Sequence, residues 1–435
     1  MKKLVLFLLI CLASVVTWAQ DSNIKGAWSG KLSVYGSELT LVFHFDDEAC
    51  TLDSPDQGVK GVPAKMERTA AGIKVDVPSI NASYEGVYMG ESIMGTFKQH
   101  GQSFPLTVKP GLVKRNRPQT PVVPYPYQTQ EVSFSNGDAI LKGTLVTPQN
   151  ASRQTPVLLM ITGSGLQNRD EEIFEHKPFA VIADAFARAG IATLRYDDRG
   201  FGESTGDIVN CTTEDLKNDA LAGIQLLRSR FDKVGVIGHS EGGTIALMLA
   251  AEQKADFIVS LAGMAVSGKE TLLWQNRLAL ATANIPSETI DTYCKALGEV
   301  FDACIAGVPM PSASQYNLPA SLAQNLAAAT MQLQTPYMKH FLALDVRPLL
   351  GNITCPVLAL NGAKDMQVEP ASNLGALRSG LPASPKNKLQ AVEGLNHLFQ
   401  HCNTGLSSEY PNIEETISPE VLELMVHWLE DFISL

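Results

Sequence analysis

Between residues 157 and 261, four short and largely apolar runs alternate with helical stretches. The runs are 157–161, 191–194, 233–237 and 257–261, and the stretches between them are 179–189, 214–228 and 242–251. Continuous apolar runs this short suit strands buried on both faces. Strand–helix alternation leaves few packings, and the simplest is a mostly parallel sheet with helices on both faces. Residues 356–360 and 388–392 add two more strands, and the amphipathic stretch 420–432 closes the chain as a helix. Ahead of the first run, 132–134 and 141–146 read as an antiparallel pair.

One interval breaks this rhythm. Residues 261 and 356 are far too distant for an ordinary connection, and the stretch between them is rich in Ala and Leu at helical spacing. It predicts a helical cap over about 264–350 that lines a pocket above the sheet, with Trp274 and Leu278 among its large apolar residues.

The chain has 435 residues, more than one ordinary core organises. Residues 20–109 alternate apolar and polar, as in Glu38-Leu39-Thr40-Leu41-Val42-Phe43, with frequent turn signals. They predict a small antiparallel β domain, barrel or sandwich. Five prolines between 110 and 126 predict an extended linker over 110–129, which leaves 130–435 as a second domain.

The N-terminus predicts export. Lys2 and Lys3 precede an apolar stretch over 4–16, and Thr17-Trp18-Ala19 sets small residues at −3 and −1 of a cleavage site. A signal peptide over 1–19 implies a periplasmic or secreted protein; the apolar stretch is short for a membrane span. Leu9-Ile10 is too bulky for a lipid-modified Cys11. No later stretch is apolar enough to cross a bilayer. The net charge of −11, without a basic block, argues against nucleic acid as a partner. Six cysteines follow the signal peptide and show no metal-binding spacing. Cys294 and Cys304 are the pair to examine for a disulfide, against the plainer reading of scattered buried thiols.

The motif that carries chemistry is Gly238-His239-Ser240-Glu241-Gly242-Gly243, directly behind a buried strand and ahead of a helix. A serine between glycines at such a turn stands exposed above the strand end, and the nitrogen of Glu241 starts the helix toward a developing oxyanion. A serine nucleophile needs a base, and the base needs an orienting acid. In this architecture they follow in the order Ser, acid, His. His397 comes a short loop after the last strand and is the preferred base, with His401 as the alternative; His427 lies on an apolar helical stripe and reads as a core histidine. Asp365, beyond the strand 356–360, is the acid, with Glu369 as its alternative. The second oxyanion donor belongs to Thr162-Gly163-Ser164-Gly165-Leu166, with Ser164 preferred over Gly165 and Leu166.

Residues from about 130 onward resemble the α/β-hydrolase fold, nearest to exported bacterial esterases and serine-aminopeptidase-like hydrolases. The stretches that carry the resemblance are ITGSGLQNRDE, RYDDRGFGES, GHSEGG, LNGAKD and GLNHLFQ, in that order. The resemblance implies Ser240, Asp365 and His397 as nucleophile, acid and base, the same three residues. Thr162 departs from it, standing where many members have the His of a His-Gly pair. Asp197, Asp198 and Arg199 read as bracing for the loop beside the site. The expectation is a serine esterase acting on a small-molecule ester with no metal or organic cofactor. A peptidase with the same triad is the alternative, its substrate amine held by Glu299 and Asp302 of the cap. An inert binding protein is the third reading, against which the intact Ser, Asp and His argue.

Overall fold

The structure is a computed structural model that describes residues 24–433 apart from 35, 36, 47, 48, 58, 70, 71, 100, 113 and 114. The predicted signal peptide over 1–19, its cleavage site at Ala19 and Cys11 lie outside the described residues. The chain divides into two units between residues 114 and 115.

The first unit is a closed barrel of eight antiparallel strands in sequence order. They are β1 (Gly26–Val34), β2 (Ser37–Phe45), β3 (Cys50–Ser54), β4 (Val59–Arg68), β5 (Gly72–Val77), β6 (Ala82–Tyr88), β7 (Ile93–Gln99) and β8 (Gln102–Pro110). β1 meets β8 at Ser29 and Lys109, and that pairing makes a barrel of the predicted barrel or sandwich. Alternate residues of each strand, among them Phe43, Val75, Tyr84 and Leu106, fill the interior. The buried Tyr84 hydroxyl donates to the carbonyls of Ile93 and Leu106 at 2.9 and 3.2 Å.

The second unit holds an eight-stranded sheet. Its strands are β9 (Gln128–Asn136), β10 (Ala139–Thr147), β11 (Val157–Ile161), β12 (Ala192–Tyr196), β13 (Val234–His239), β14 (Ile258–Leu261), β15 (Val357–Gly362) and β16 (Lys388–Val392). Their spatial order is β16-β15-β14-β13-β11-β12-β10-β9. β9 and β10 form an antiparallel hairpin, β10 runs antiparallel to β12, and the remaining pairs are parallel. Helices α1 (Pro178–Arg188) and α9 (Pro419–Ile433) share one apolar layer with one face of the sheet, through Phe179, Ile182, Phe186, Met425 and Leu429. Helices α2 (Thr213–Arg228), α3 (Glu241–Ala251) and α8 (Pro370–Gly380) share the other, with Ile224, Ile245 and Leu377. This is the α/β-hydrolase fold. The strand order reverses around β11 and β13, so the loops leaving those strands gather at one edge of the sheet.

The cap interval folds as α4 (Gly268–Thr282), α5 (Ser287–Ala306), α6 (Ala320–Gln332) and α7 (Pro336–Ala343). It has its own apolar core of Leu297, Val300, Phe301, Leu326 and Leu342. A reciprocal cap between Ser267 and Glu270 starts α4. Cys294 and Cys304 both lie on α5, ten residues or about 15 Å apart along its axis. A disulfide needs α-carbons about 5.5–6 Å apart, and the six described cysteines are free thiols.

The proline-rich stretch is no free spacer. At one end Gly111 still belongs to the barrel, its carbonyl accepting from the Ser29 hydroxyl at 2.6 Å. From residue 115 the chain is bonded to the second unit. The Arg117 guanidinium donates to the carbonyls of Phe174, Pro411 and Ile413 at 2.8 to 3.2 Å. Gln119 donates to Ile417 O at 2.7 Å, and Tyr127 is buried in the layer under α1 and α9. Among the described residues no helix is long and apolar enough to cross a membrane.

Candidate active site

β13 delivers Ser240 to a turn that a side-chain-bearing residue adopts only under strain. Its φ is +52° and its ψ −119°, and its nitrogen is held by Leu261 O at 2.8 Å. The flanking glycines are steric necessities. A Cβ at Gly238 would lie 2.0 Å from the Gly242 carbonyl oxygen, and one at Gly242 would lie 2.1 Å from Ile161 O. α3 leaves directly from the serine, so the first turn of the helix points its N–H groups toward this place.

The loops after β15 and β16 bring Asp365 and His397 together. Both are buried, and Nδ1 of His397 lies 2.8 Å from Asp365 Oδ2. The other carboxylate oxygen accepts from the backbone nitrogens of Gln367 and Val368 at 2.7 and 2.9 Å. Asp365 is thereby fixed, and it fixes the imidazole in turn. Ser240 and His397 line one cavity of about 340 Å³, with Ser164 on its wall. The two alternatives are engaged elsewhere: His401 is exposed and paired with Glu415 at 2.9 Å, and Glu369 caps α8 by accepting from Ala371 and Ser372. His427 is exposed on α9 rather than buried in the core.

The loop after β11 runs against the serine: a Cβ at Gly163 would come within 3.2 Å of Ser240 Cβ. Its bracing explains the departure at Thr162, whose hydroxyl donates to Asp198 Oδ1 at 2.8 Å while Gln167 N donates to Oδ2 at 2.8 Å. Burial, with Glu171 and Glu241 adding to it, pushes the Asp198 carboxyl up to about 8. Asp197 and Arg199 brace further out. Asp197 receives the Arg169 guanidinium at 2.8 Å, and Arg199 donates to Asp219 at 2.6 and 2.7 Å.

Three site residues escaped sequence reasoning. Glu171 Oε1 accepts from Gly163 N at 2.7 Å and lies 2.9 Å from His239 Nδ1. His239 Nε2 in turn lies 2.9 Å from the carbonyl oxygen of His397. Tyr337 of α7 donates to Glu241 Oε2 at 2.5 Å, and Thr213 donates to Glu241 Oε1 at 2.6 Å, so the cap is tied to the turn that carries Ser240. His239 and Glu171 stood within quoted motifs, but only their neighbours in space give them a task. Tyr337 had no sequence signal.

The cap contributes Leu272, Gln275, Tyr337, Met338 and Phe341 to the cavity wall. Trp274, expected there, faces a separate surface depression with Arg277, Asp291 and Lys295, and Leu278 is not on the wall. Helix α4 presents Leu272 and Gln275 to the cavity, and Trp274 and Leu278 lie on its other sides. Glu299 and Asp302 do not reach the cavity; Glu299 accepts from the Tyr316 hydroxyl at 2.7 Å and Asp302 pairs with Lys269 at 2.5 Å.

A sequence profile of the X-Pro dipeptidyl-peptidase (S15 family) matches residues 137–379, more than half of the chain, and the chain belongs to that family. It is 27% identical over 275 residues to Esterase EstD of Thermotoga maritima, covering 61% of this chain. The chain spans 60% of the length of that curated relative. Among solved structures, the Pyrococcus furiosus esterase Pf2001 aligns with a TM-score of 0.42 at 15% identity, covering 71% of this chain and 94% of that one. The proline iminopeptidase of Mycobacterium smegmatis aligns with a TM-score of 0.43 at 17% identity, covering 70% and 99%.

Proposed function

We propose that this member of the S15 family is an exported serine hydrolase that cleaves a small carboxylic ester. Ser240 attacks the ester carbonyl. His397 takes the hydroxyl proton and returns it to the leaving alcohol, while Asp365 holds the imidazole by its Nδ1–H and balances the charge it gains. The backbone nitrogens of Glu241 and Ser164 receive the oxyanion. Gly163 N is committed to Glu171, which turns this role to the next residue of the loop. Water then enters by the same proton path and releases the acyl group. The observation that carries the reading is the buried Asp365–His397 pair opening onto one cavity with a strained Ser240.

The choice of ester over aminoacyl substrates rests on the cavity wall. A substrate amine calls for a carboxylate, and among the described residues the one carboxylate on the wall is Glu171, already engaged by Gly163 N and His239. The kinship with an enzyme named as an esterase points the same way. Export rests on residues 2–19 alone.

A fluorophosphonate probe should label Ser240, and Ser240→Ala should lower kcat by about 10³-fold or more with the fold intact. An acyl-chain panel of chromogenic esters, set against matched aminoacyl amides, should favour the esters. Labelling at another residue, full activity in the variant, or faster amide cleavage would each refute the corresponding part.

A further inference from the structure

The mechanism above uses neither ring nitrogen of His239 nor the carboxylate of Glu171, yet both groups are buried in the site. His239 Nε2 faces the His397 carbonyl oxygen, an atom that only accepts, so Nε2 carries a proton. His239 Nδ1 faces Glu171 Oε1, which already accepts from Gly163 N. Without a further proton between Nδ1 and Oε1, two lone pairs would meet at 2.9 Å inside the protein. The pair therefore holds one proton more than a neutral imidazole beside a carboxylate. The result is one chain of hydrogen bonds from Gly163 N through Glu171 and His239 to the backbone of His397.

We propose that Glu171 and His239 form a proton-dependent clamp that joins the oxyanion loop to the base loop, and that losing its proton shuts hydrolysis down on the alkaline side. This rests on the serine-hydrolase reading of Ser240 and His397. Both residues are positioning residues: Glu171 sets Gly163, next to Ser164, and His239 sets the backbone of His397. The His239 ring also lies against the His397 ring, with centroids 4.6 Å apart.

Backbone strain marks the same place. Glu171, Phe174 and Glu175 all have positive φ, at +52°, +50° and +66°, within five residues. Non-glycine residues hold such angles only where the surroundings over-determine them, and such strain gathers at functional sites. Arg117 fixes Phe174 O, and Arg115 pairs with Glu175, so the strained loop is held from outside.

The groups around His239 set the sign. Glu171 faces it from the loop after β11, and His397 and Asp365 face it from the loops after β16 and β15. Asp198 and Glu241 act on the same cluster from beyond Glu171. Burial works against the charged ring, but the charge and hydrogen bond of Glu171, the His397 carbonyl and Asp365 outweigh it, and the net direction for His239 is upward. The clamp thus holds its proton to higher pH than an ordinary imidazole does and releases it as pH rises. Its opening frees both loops, which lowers kcat and leaves KM largely unchanged.

The test is the pH profile of kcat and KM on a short chromogenic ester, for the full chain and its variants. Glu171→Gln keeps an oxygen for Gly163 N but removes the charge that holds the proton. Its alkaline limb should move down by about 1–3 pH units, the usual effect of a lost opposite charge. Glu171→Ala should lower kcat by about 100-fold at every pH, as loosened catalytic geometry does. Asp198→Asn removes a charge one step further from the ring and should move the limb less than Glu171→Gln does. A limb unmoved in Glu171→Gln, or abolished in Asp198→Asn, overturns the clamp. Where Glu171→Ala fails to fold, nitrogen NMR of histidine-labelled wild type decides: two protonated ring nitrogens on His239 at about pH 7 support the clamp, and a bare one overturns it. Fluorophosphonate labelling separates the two levels. If Ser240 of the wild type is not labelled, the serine-hydrolase reading fails; if it is labelled and the limb does not move, the clamp alone fails.

Discussion

Arg117 is the residue whose removal should reveal what the proline-rich stretch does. Besides the neighbouring Asn116 carbonyl, its guanidinium donates to three distant backbone carbonyls, those of Phe174, Pro411 and Ile413, from segments 57 to 296 residues away. A hydrogen bond from a charged donor contributes about 1.5–3 kcal/mol, and a carbonyl left behind at a half-buried site regains part of that from water. Three such carbonyls give about 2–4 kcal/mol for Arg117→Ala in the full chain. For a unit of this size that corresponds to a fall in Tm of about 3–6 °C. Arg117→Lys should recover little, because an ammonium cannot present the planar fork that reaches three acceptors. Phe174 lies three residues from Glu171, so kcat should fall along with Tm. Scanning calorimetry and ester turnover measure both. A matched pair of truncations sharpens the test: residues 115–435 should remain stable and active, and residues 128–435 should be weaker in both respects. An unchanged Tm in Arg117→Ala, with equal stability of the two truncations, would mean the stretch is a spacer after all.

Two further outcomes follow from the cavity wall and from a buried histidine. Leu272→Ala or Phe341→Ala should shift acyl-chain preference on an ester panel by roughly tens-fold, since an apolar wall discriminates by ~1–3 kcal/mol per methylene, while Trp274→Ala should leave the preference flat. His176 is fully buried, and burial, with the charge of Arg117 adding to it, lowers its pKa to about 4. The unfolded chain takes up this proton near pH ~6.5 and the fold resists it, so stability should fall as pH drops from ~6.5 toward ~4. In His176→Gln that part of the slope should vanish, read as urea midpoints of the two proteins across the window.

What the sequence discloses depends on whether a residue's task is set by its own strand or by a distant partner. β11, β13 and β15 were legible because strands buried on both faces must be continuous apolar runs. The positions of Ser240, Asp365 and His397 were legible for a related reason: each follows a strand whose C-terminal end is itself readable, and the fold brings those ends to one edge. Barrel or sandwich was undecidable, because closure is a pairing of Ser29 with Lys109, and no local pattern encodes it. Residues 110–126 look like a spacer because proline content is local, whereas the acceptors of Arg117 are backbone carbonyls of unrelated segments. The cap was legible as helices, but the side facing Ser240 was not. Helical spacing gives a stripe without a direction, so Leu272 and Trp274 could not be told apart.

Glu171 makes the general limit concrete. In the sequence it is one of two adjacent acids, Glu171-Glu172, and nothing in the pattern separates them. In the fold Glu172 sits near the surface beside Asn168 and Lys177, and Glu171 turns inward on a positive φ to bridge Gly163 N and His239. The same buried network accounts for the departure at Thr162. A hydroxyl there reaches Asp198, and Asp198 also holds Gln167 N, so the loop beside Ser240 is anchored from β12 and from Glu171. A histidine in that position would bring a ring where a single short donor is bonded to a buried carboxyl. Thr162→His should therefore disturb the loop rather than restore a family feature. It should lower kcat more than it changes KM, and Thr162→Ser, which keeps the hydroxyl, should stay close to wild type. Higher activity in Thr162→His than in Thr162→Ser would mean that Asp198 braces nothing that catalysis depends on.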